Sequence, residues 1–418
     1  MADAGDLYLT WRWTDETAPG GVAVIPEEQV EAAMTRFAAA LPAPGIPGGL
    51  ESALTTGELA CYAAENKLAQ HLSSTFLPYK LAVQLHELYT TGVRPHLRVQ
   101  PSPRTAQLPW ELLAPDPDIR LVEIADVSAL APAGIVQAPA RVARTWTSSR
   151  TQPVVAVLDP RVPGFRADSA LGSVLGRMDA AAPLTELVAA HAAADRLTPA
   201  VGDPLEAFRR TDLDRSWLSG ALHAGAARLL YVGHVTAAAP ESGRSESATL
   251  HLSCTAASPG CAPAYRDHRP LSARDLLLGT HALPAGNGHR DNPIPRTGPE
   301  IWPIPSRVAL IACESGGDLR FAEPLGLVAA MLTGGAELVT AGRWPLPTDL
   351  AFHRLAGTAP TAHPFQEAVC AIDAAHESED PVTALNAWQR THLAAWRDTG
   401  RIEHSPLIWA AFATVDTR

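Results

Sequence analysis

Two residues end apolar runs and carry side chains that do chemistry together. His234 closes Ala227-Arg-Leu-Leu-Tyr-Val-Gly-His234, and Cys313 closes Arg307-Val-Ala-Leu-Ile-Ala-Cys313. A thiol becomes a nucleophile when a neighbour takes its proton, and imidazole does this near neutral pH. Gly233 precedes the histidine, and Gly316-Gly317 follow the cysteine closely. Small residues there let a substrate backbone approach and leave main-chain N–H groups to face an oxyanion. The pair reads as a His–Cys dyad for acyl transfer, most simply peptide-bond hydrolysis. The bland alternative is a cysteine that is only a small buried hydrophobe at a strand end.

A second constellation is His251, Cys254, Cys261 and His268. These types bind zinc, and the first pair has ligand-like spacing. Residues i and i+3 of a strand face opposite sides, however, and the later seven-residue spacings fit no standard finger. No metal site and no cofactor is therefore expected. Phosphate-loop, dinucleotide and Gly-x-Ser-x-Gly signatures are absent from the sequence. Cys61 and Cys370 sit in apolar helical settings and read as core.

Elements that position the dyad can be read from hydrophobic pattern. Val154–Asp159 and Glu337–Trp344 resemble the two runs above. Short continuous apolar runs separated by helical stretches predict buried parallel strands in an α/β sheet. Leu325, Val328, Met331 and Leu332 predict a helix ending at Gly334-Gly335, and Val382, Leu385, Trp388 and Trp396 predict another ending at Gly400. Leu407 to Val415 reads as a closing strand. Upstream, Leu7–Trp13 alternates like a strand, and a helix follows Pro26. The Ala, Pro, Thr and Ser of residues 132–152 suggest a linker. This divides the chain into 1–145 and 146–418, the second part carrying a long loop over 236–306. Within that loop, Ala248–Ser253 is strand-like and about Ser272–Leu278 is helical. A loop of this length is usually functional. It borders both dyad residues and is expected to gate the cleft, with Arg244, Arg266, Arg269, Arg290 and Arg296 as processing sites.

Composition narrows the classes. The 418 residues are 46% hydrophobic and 18% charged, which is globular. A net charge of −11 opposes nucleic-acid binding, which needs a basic footprint. No apolar run approaches the roughly 18–20 residues of a membrane span. The acidic N-terminus does not read as a signal peptide, and five cysteines at no regular spacing make no disulfide framework. The expectation is a cytoplasmic protein without nucleic-acid or membrane partners. Basic charge is nearly all arginine, Lys67 and Lys80 apart, which reads as genome bias.

Several segments together resemble the CHAT family of caspase-like proteases. They are Leu108-Pro-Trp-Glu-Leu-Leu113, Tyr231-Val-Gly-His234, Leu310-Ile-Ala-Cys-Glu-Ser315, Trp344-Pro-Leu-Pro-Thr-Asp349 and Ser405-Pro-Leu-Ile-Trp-Ala-Ala-Phe412, in the family's order. Val235 stands where many members have glycine. The resemblance implies Cys313 as nucleophile, His234 as its acid–base partner, and the backbone of Gly233 and Cys313 as oxyanion donors. It implies a caspase-like, mostly parallel sheet flanked by helices. By analogy with the related separases, it also implies a degenerate pseudo-caspase half over 1–145. Asp349 would lie at the active-site rim and Asp159 beside the pocket for the residue before the cut. Glu314 would line the cleft. A carboxylate there favours a basic residue; turn and helix-capping roles are the competing readings for Asp159 and Asp349. The partners implied are a protein substrate and a regulatory protein, in bacterial antiviral defence or cell death. A caspase-like scaffold without catalysis is the alternative from another class.

Overall fold

The computed structural model describes residues 1–14, 18–280 and 297–417. They form two compact units, Met1–Leu130 with Arg343–Ala413, and Ala131–Gly342 with Thr414–Arg418. This differs from the single cut after residue 145. No described helix is long and apolar enough to cross a membrane.

The first unit opens with an antiparallel sheet of β1 (Ala2–Ala4), β2 (Asp6–Trp11) and β3 (Gly21–Ile25). Period-two alternation in β2 buries Leu7 and Leu9 and leaves Tyr8 outside. Pro26 precedes the helix Glu27–Ala39, which buries Val30, Ala33 and Phe37. Helices Tyr62–Phe76 and Tyr79–Thr90 follow, then a parallel pair, β4 (His96–Val99) and β5 (Asp126–Leu130). Helices Pro364–Glu377 and Pro381–Thr399 complete the unit. The C-terminal helices join the N-terminal part because both supply one core. Asn386 Oδ1 accepts from Val127 N–H at 2.6 Å, and Arg390 reaches Asp126 at 2.8 Å. Trp396 Nε1 donates to Glu65 at 3.3 Å.

Glu65 and Arg120 form an ion pair at 3.1 Å with both side chains 0% exposed. Burial pushes the Glu65 carboxyl up, while Arg120 and the Trp396 indole pull it down.

Three of the segments singled out in the sequence, around Trp110, Trp344 and Trp409, meet in this unit. Arg343 Nη2 donates to Glu111 at 2.9 Å, and its Nη1 donates to Ala410 O at 2.8 Å. Trp344 Nε1 donates to Leu407 O at 3.2 Å.

The second unit contains β6 (Val154–Leu158), β7 (Leu197–Thr198) and β8 (Arg228–Val232), then the short β9 (Val235–Thr236), β10 (Thr249–Leu250) and β11 (Leu271–Ser272), then β12 (Arg307–Ile311) and β13 (Leu338–Gly342). The central sheet is built from β6, β7, β8, β12 and β13. They order β13-β12-β8-β6-β7, every pair parallel. Every residue of β6, β8, β12 and β13 is buried, which is why these strands read as unbroken apolar runs. The fold is thus α/β with a mostly parallel sheet, as expected. β14 (Phe412–Asp416) begins later than expected, since Pro406–Trp409 is a helical turn capped by the Ser405 hydroxyl.

Two sequence expectations change here. Residues 132–152 are no free linker: Trp146 is buried, the Arg307 guanidinium lies 3.9 Å over its ring, and Arg141 donates to Leu332 O and Ala336 O. The described residues of 236–306 are not one open loop either. β9 (Val235–Thr236), β10 (Thr249–Leu250) and β11 (Leu271–Ser272) form an antiparallel sheet, and the Ser272 hydroxyl caps the helix Ala273–Leu278. Arg269 donates to Ala256 O and Ala262 O, and Arg266 lies over Phe165 and Tyr265. Of the arginines read as processing sites, Arg244 is exposed without such packing, and Arg290 and Arg296 lie outside the described residues.

Arg120→Ala leaves the Glu65 carboxyl buried without its cation. The expected loss is about 3–5 kcal/mol in urea unfolding. Glu65→Leu combined with Arg120→Met is expected to lose less than Arg120→Ala alone, because no charge then remains buried.

Candidate active site

Register sets His234 and Cys313 at one edge of the sheet. Leu158 of β6, Val232 of β8 and Ile311 of β12 lie level with one another. Adjacent strands run about 4.8 Å apart. His234 and Cys313 each follow their level residue by two positions, so both emerge at the carboxyl edge of neighbouring parallel strands. Asp159 follows its own by one. Cys313 and His234 are both half-buried, reachable but not fully solvated. Of the other cysteines, Cys254 is buried and Cys61 and Cys261 are exposed, so Cys61 is not the core residue expected.

On the histidine side, Tyr231 is the anchor. Its hydroxyl donates to His234 O at 2.6 Å and to His251 O at 3.0 Å. A Cβ on Gly233 would stand 2.9 Å from that hydroxyl oxygen, so glycine is needed for the tyrosine to fold back. Gly233 N–H donates to Ile311 O at 3.3 Å. The group expected to face an oxyanion therefore already has a ladder partner.

The His234 ring is held by a carbonyl. Nε2 lies 3.0 Å from Gly172 O, which can only accept, so Nε2 carries the proton and Nδ1 is the basic nitrogen of the neutral ring. Arg209 donates to the same oxygen at 3.0 Å and to Asp159 at 3.3 Å. Burial lowers the His234 pKa below 6.5, against the pull of the Gly172 bond and the Asp159 charge. The ring is therefore neutral at pH 7.

Asp159 is 1% exposed and points into the protein. It accepts from the Ser173 hydroxyl, from Val174 N–H at 3.1 Å and from Arg209. Burial nevertheless raises its pKa. Its φ of 49° is left-handed, an uncommon conformation for aspartate that these bonds hold in place. Asp349 belongs to the first unit. It accepts from Phe365 N–H at 2.8 Å and Gln366 Nε2 at 3.0 Å, holding the start of the helix Pro364–Glu377. The cap of its own helix is Thr348. Both carboxylates thus have internal donors.

On the cysteine side the chain turns sharply. The Ser315 hydroxyl donates to Leu310 O at 2.6 Å and accepts from Gly342 N–H at 2.8 Å. Gly316 N–H donates to Gly342 O at 2.9 Å. The turn is thereby tied to both β12 and β13. Glu314 takes a left-handed φ of 50° and pairs with Arg320 at 2.7 Å, with 28% of its side chain exposed. It lines a small, shallow concavity with Ala237, Ala238, Ala248, Gly317 and Phe321. That concavity lies between the segments that follow His234 and Cys313. Asp318, at its floor, accepts from Ala329 N–H at 2.8 Å, and burial pushes its pKa up to about 6.

The residues read as zinc ligands have other partners. His251 Nδ1 lies 3.1 Å from His268 Nε2, and His268 Nδ1 lies 2.7 Å from Cys254 O. Cys261 N–H donates to Asp275. Among the described residues, no group of three or more His, Cys, Asp or Glu is placed to hold a metal. Sequence reading missed Gly172, Ser173 and Arg209, which reach the surroundings of His234 only through chain folding. Tyr231 and Ser315 were visible within motifs, without the anchoring bonds they make.

A Cβ on Gly342 would stand 2.5 Å from the backbone oxygen of Ala312. Gly342→Ala is expected to cost about 1–3 kcal/mol, read as a lower midpoint in thermal unfolding. Ser315→Ala removes one buried hydroxyl with two bonds and is expected to cost about 1–3 kcal/mol by the same measurement.

No curated protein matches the chain at a significant level. The family model of the CHAT domain matches residues 66–416, well over half of the chain. This chain belongs to the CHAT domain family.

Proposed function

We propose that this protein is a cysteine endopeptidase that cleaves a protein target through Cys313 and His234. The observation that supports it most is the register of β8 and β12, which levels the two residues at one sheet edge. Family membership points the same way, since the CHAT domain is caspase-like.

In this reading His234 Nδ1 takes the thiol proton, and the thiolate attacks the scissile carbonyl carbon. The resulting oxyanion faces the backbone N–H of Cys313, the donor implied by the family. His234 returns the proton to the departing amine as the C–N bond breaks. Water then attacks the thioester, yields the new carboxylate and restores the thiol. Gly172 O and Arg209 keep the ring in the tautomer this requires.

For substrate choice, Glu314 is the carboxylate that faces the concavity and is partly exposed. We assign it the preference for a basic residue, exchanging Arg320 for a substrate cation. The setting of a regulated bacterial defence or cell-death effector, in the cytoplasm and with a regulatory protein partner, rests on the family alone. If the purified chain binds partners but cleaves nothing, the non-catalytic scaffold is the correct reading.

Cys313→Ala is expected to abolish cleavage of basic-residue peptides, and His234→Ala to slow it by about 10²–10⁴-fold. A Cys313→Ala chain that still cleaves would overturn the assignment. Glu314→Gln is expected to reduce the preference for a basic residue by about two- to fivefold, as befits a half-exposed pair. Because the base must be neutral and its pKa lies below 6.5, cleavage should hold through pH 7 and fall only as pH drops through that lowered value.

A further inference from the structure

His251 and His268 are buried, with rings stacked at 5.2 Å. Their hydrogen bonds leave one proton arrangement for the neutral pair. Cys254 O accepts only, so His268 Nδ1 carries a proton and its Nε2 accepts. His251 Nδ1 must then donate to His268 Nε2, at 3.1 Å. That makes His251 Nε2 an acceptor, and the Thr236 hydroxyl donates to it at 2.8 Å. Burial lowers both imidazole pKa values, which keeps this arrangement in place at neutral pH.

Thr236 lies two residues beyond His234, on β9. His251 also holds His234 through main chain, since its N–H donates to His234 O at 3.1 Å. Tyr231 bridges His234 O and His251 O from below. The turn that carries His234 is thus gripped at its carbonyl and again at Thr236, both times by residue 251. Nothing in acyl transfer itself uses these two rings.

We infer that His251 is a positioning residue for His234, with His268 fixing the tautomer that lets it accept from Thr236. This rests on the dyad reading above. The imidazole of His251 sets where the chain leaves β8 and so where Nδ1 of His234 points.

The test combines two readouts on the full chain. One is peptide cleavage. The other is the rate of Cys313 alkylation by iodoacetamide against pH, followed at that residue by mass spectrometry, which needs no substrate. His251→Phe keeps the ring volume and removes both nitrogens. It is expected to lower kcat by about tenfold to a hundredfold, with KM within about twofold. It should also shift the alkylation profile toward that of His234→Ala. Thr236→Val removes one bond and should shift both readouts in the same direction by less, which covers the case in which His251→Phe does not fold. His251→Gln places an oxygen where Nε2 accepted and should recover part of the loss. A folded His251→Phe chain, or a Thr236→Val chain if the former does not fold, with wild-type kcat and profile overturns the inference. Loss of cleavage in wild type, with a profile that still responds to His234→Ala and His251→Phe, would remove the peptidase reading and keep the positioning role. A profile indifferent to both substitutions removes both.

Discussion

The parallel register of three buried strands is the constraint on which the site depends. β6, β8 and β12 are covered on both faces, so every residue contributes apolar contact and none can be moved to solvent cheaply. A one-residue slip would exchange the two faces of a strand and break the packing on each. The same register makes the strands end level, at Leu158, Val232 and Ile311. Parallel strands point their carboxyl ends the same way. Whatever follows those residues therefore emerges as a row, and the row holds Asp159, His234 and Cys313.

Within each unit, carboxylates act mainly as fasteners. Asp159 gathers Ser173, Val174 and Arg209, and Asp349 gathers Phe365 and Gln366. Asp318 holds the start of the helix Leu327–Thr333. A buried carboxylate needs several donors to offset its lost hydration, and backbone N–H groups at turns and helix starts supply them. Arginines have a parallel role. Arg120, Arg209 and Arg343 each bridge a carboxylate and a main-chain carbonyl oxygen, so they are structural despite a composition that suggests mere genome bias. The family motifs divide in the same way. Glu111, Arg343 and Trp344 tie segments together within the first unit, whereas the histidine and cysteine motifs end strands of the second.

Segment 236–306 illustrates where pattern reading fails. Its Pro, Gly and Ser content suggests a long loop with one strand-like piece and one helix, yet its described residues also form a three-stranded sheet of two-residue strands and a pair of stacked histidines. Strands that short have no detectable period. The histidines drew attention as metal ligands because spacing was all that could be judged. Their ring nitrogens instead satisfy one another, Thr236 and Cys254 O.

Sequence by itself determined the buried parallel strands, the helix after Pro26, the Ser272-capped helix, and the placing of His234 and Cys313 at strand ends. Those features follow from local hydrophobic period and from polar residues that interrupt it, which a linear reading can detect. Tertiary structure alone decided that residues 343–413 join the N-terminal unit, that Arg209 and Gly172 O orient the His234 ring, and that the Asp159 and Asp349 carboxylates turn inward. Each of those is a long-range pairing of a polar group with the donor or acceptor that burial demands. The residue type announces the demand, but only the folded chain determines which partner meets it.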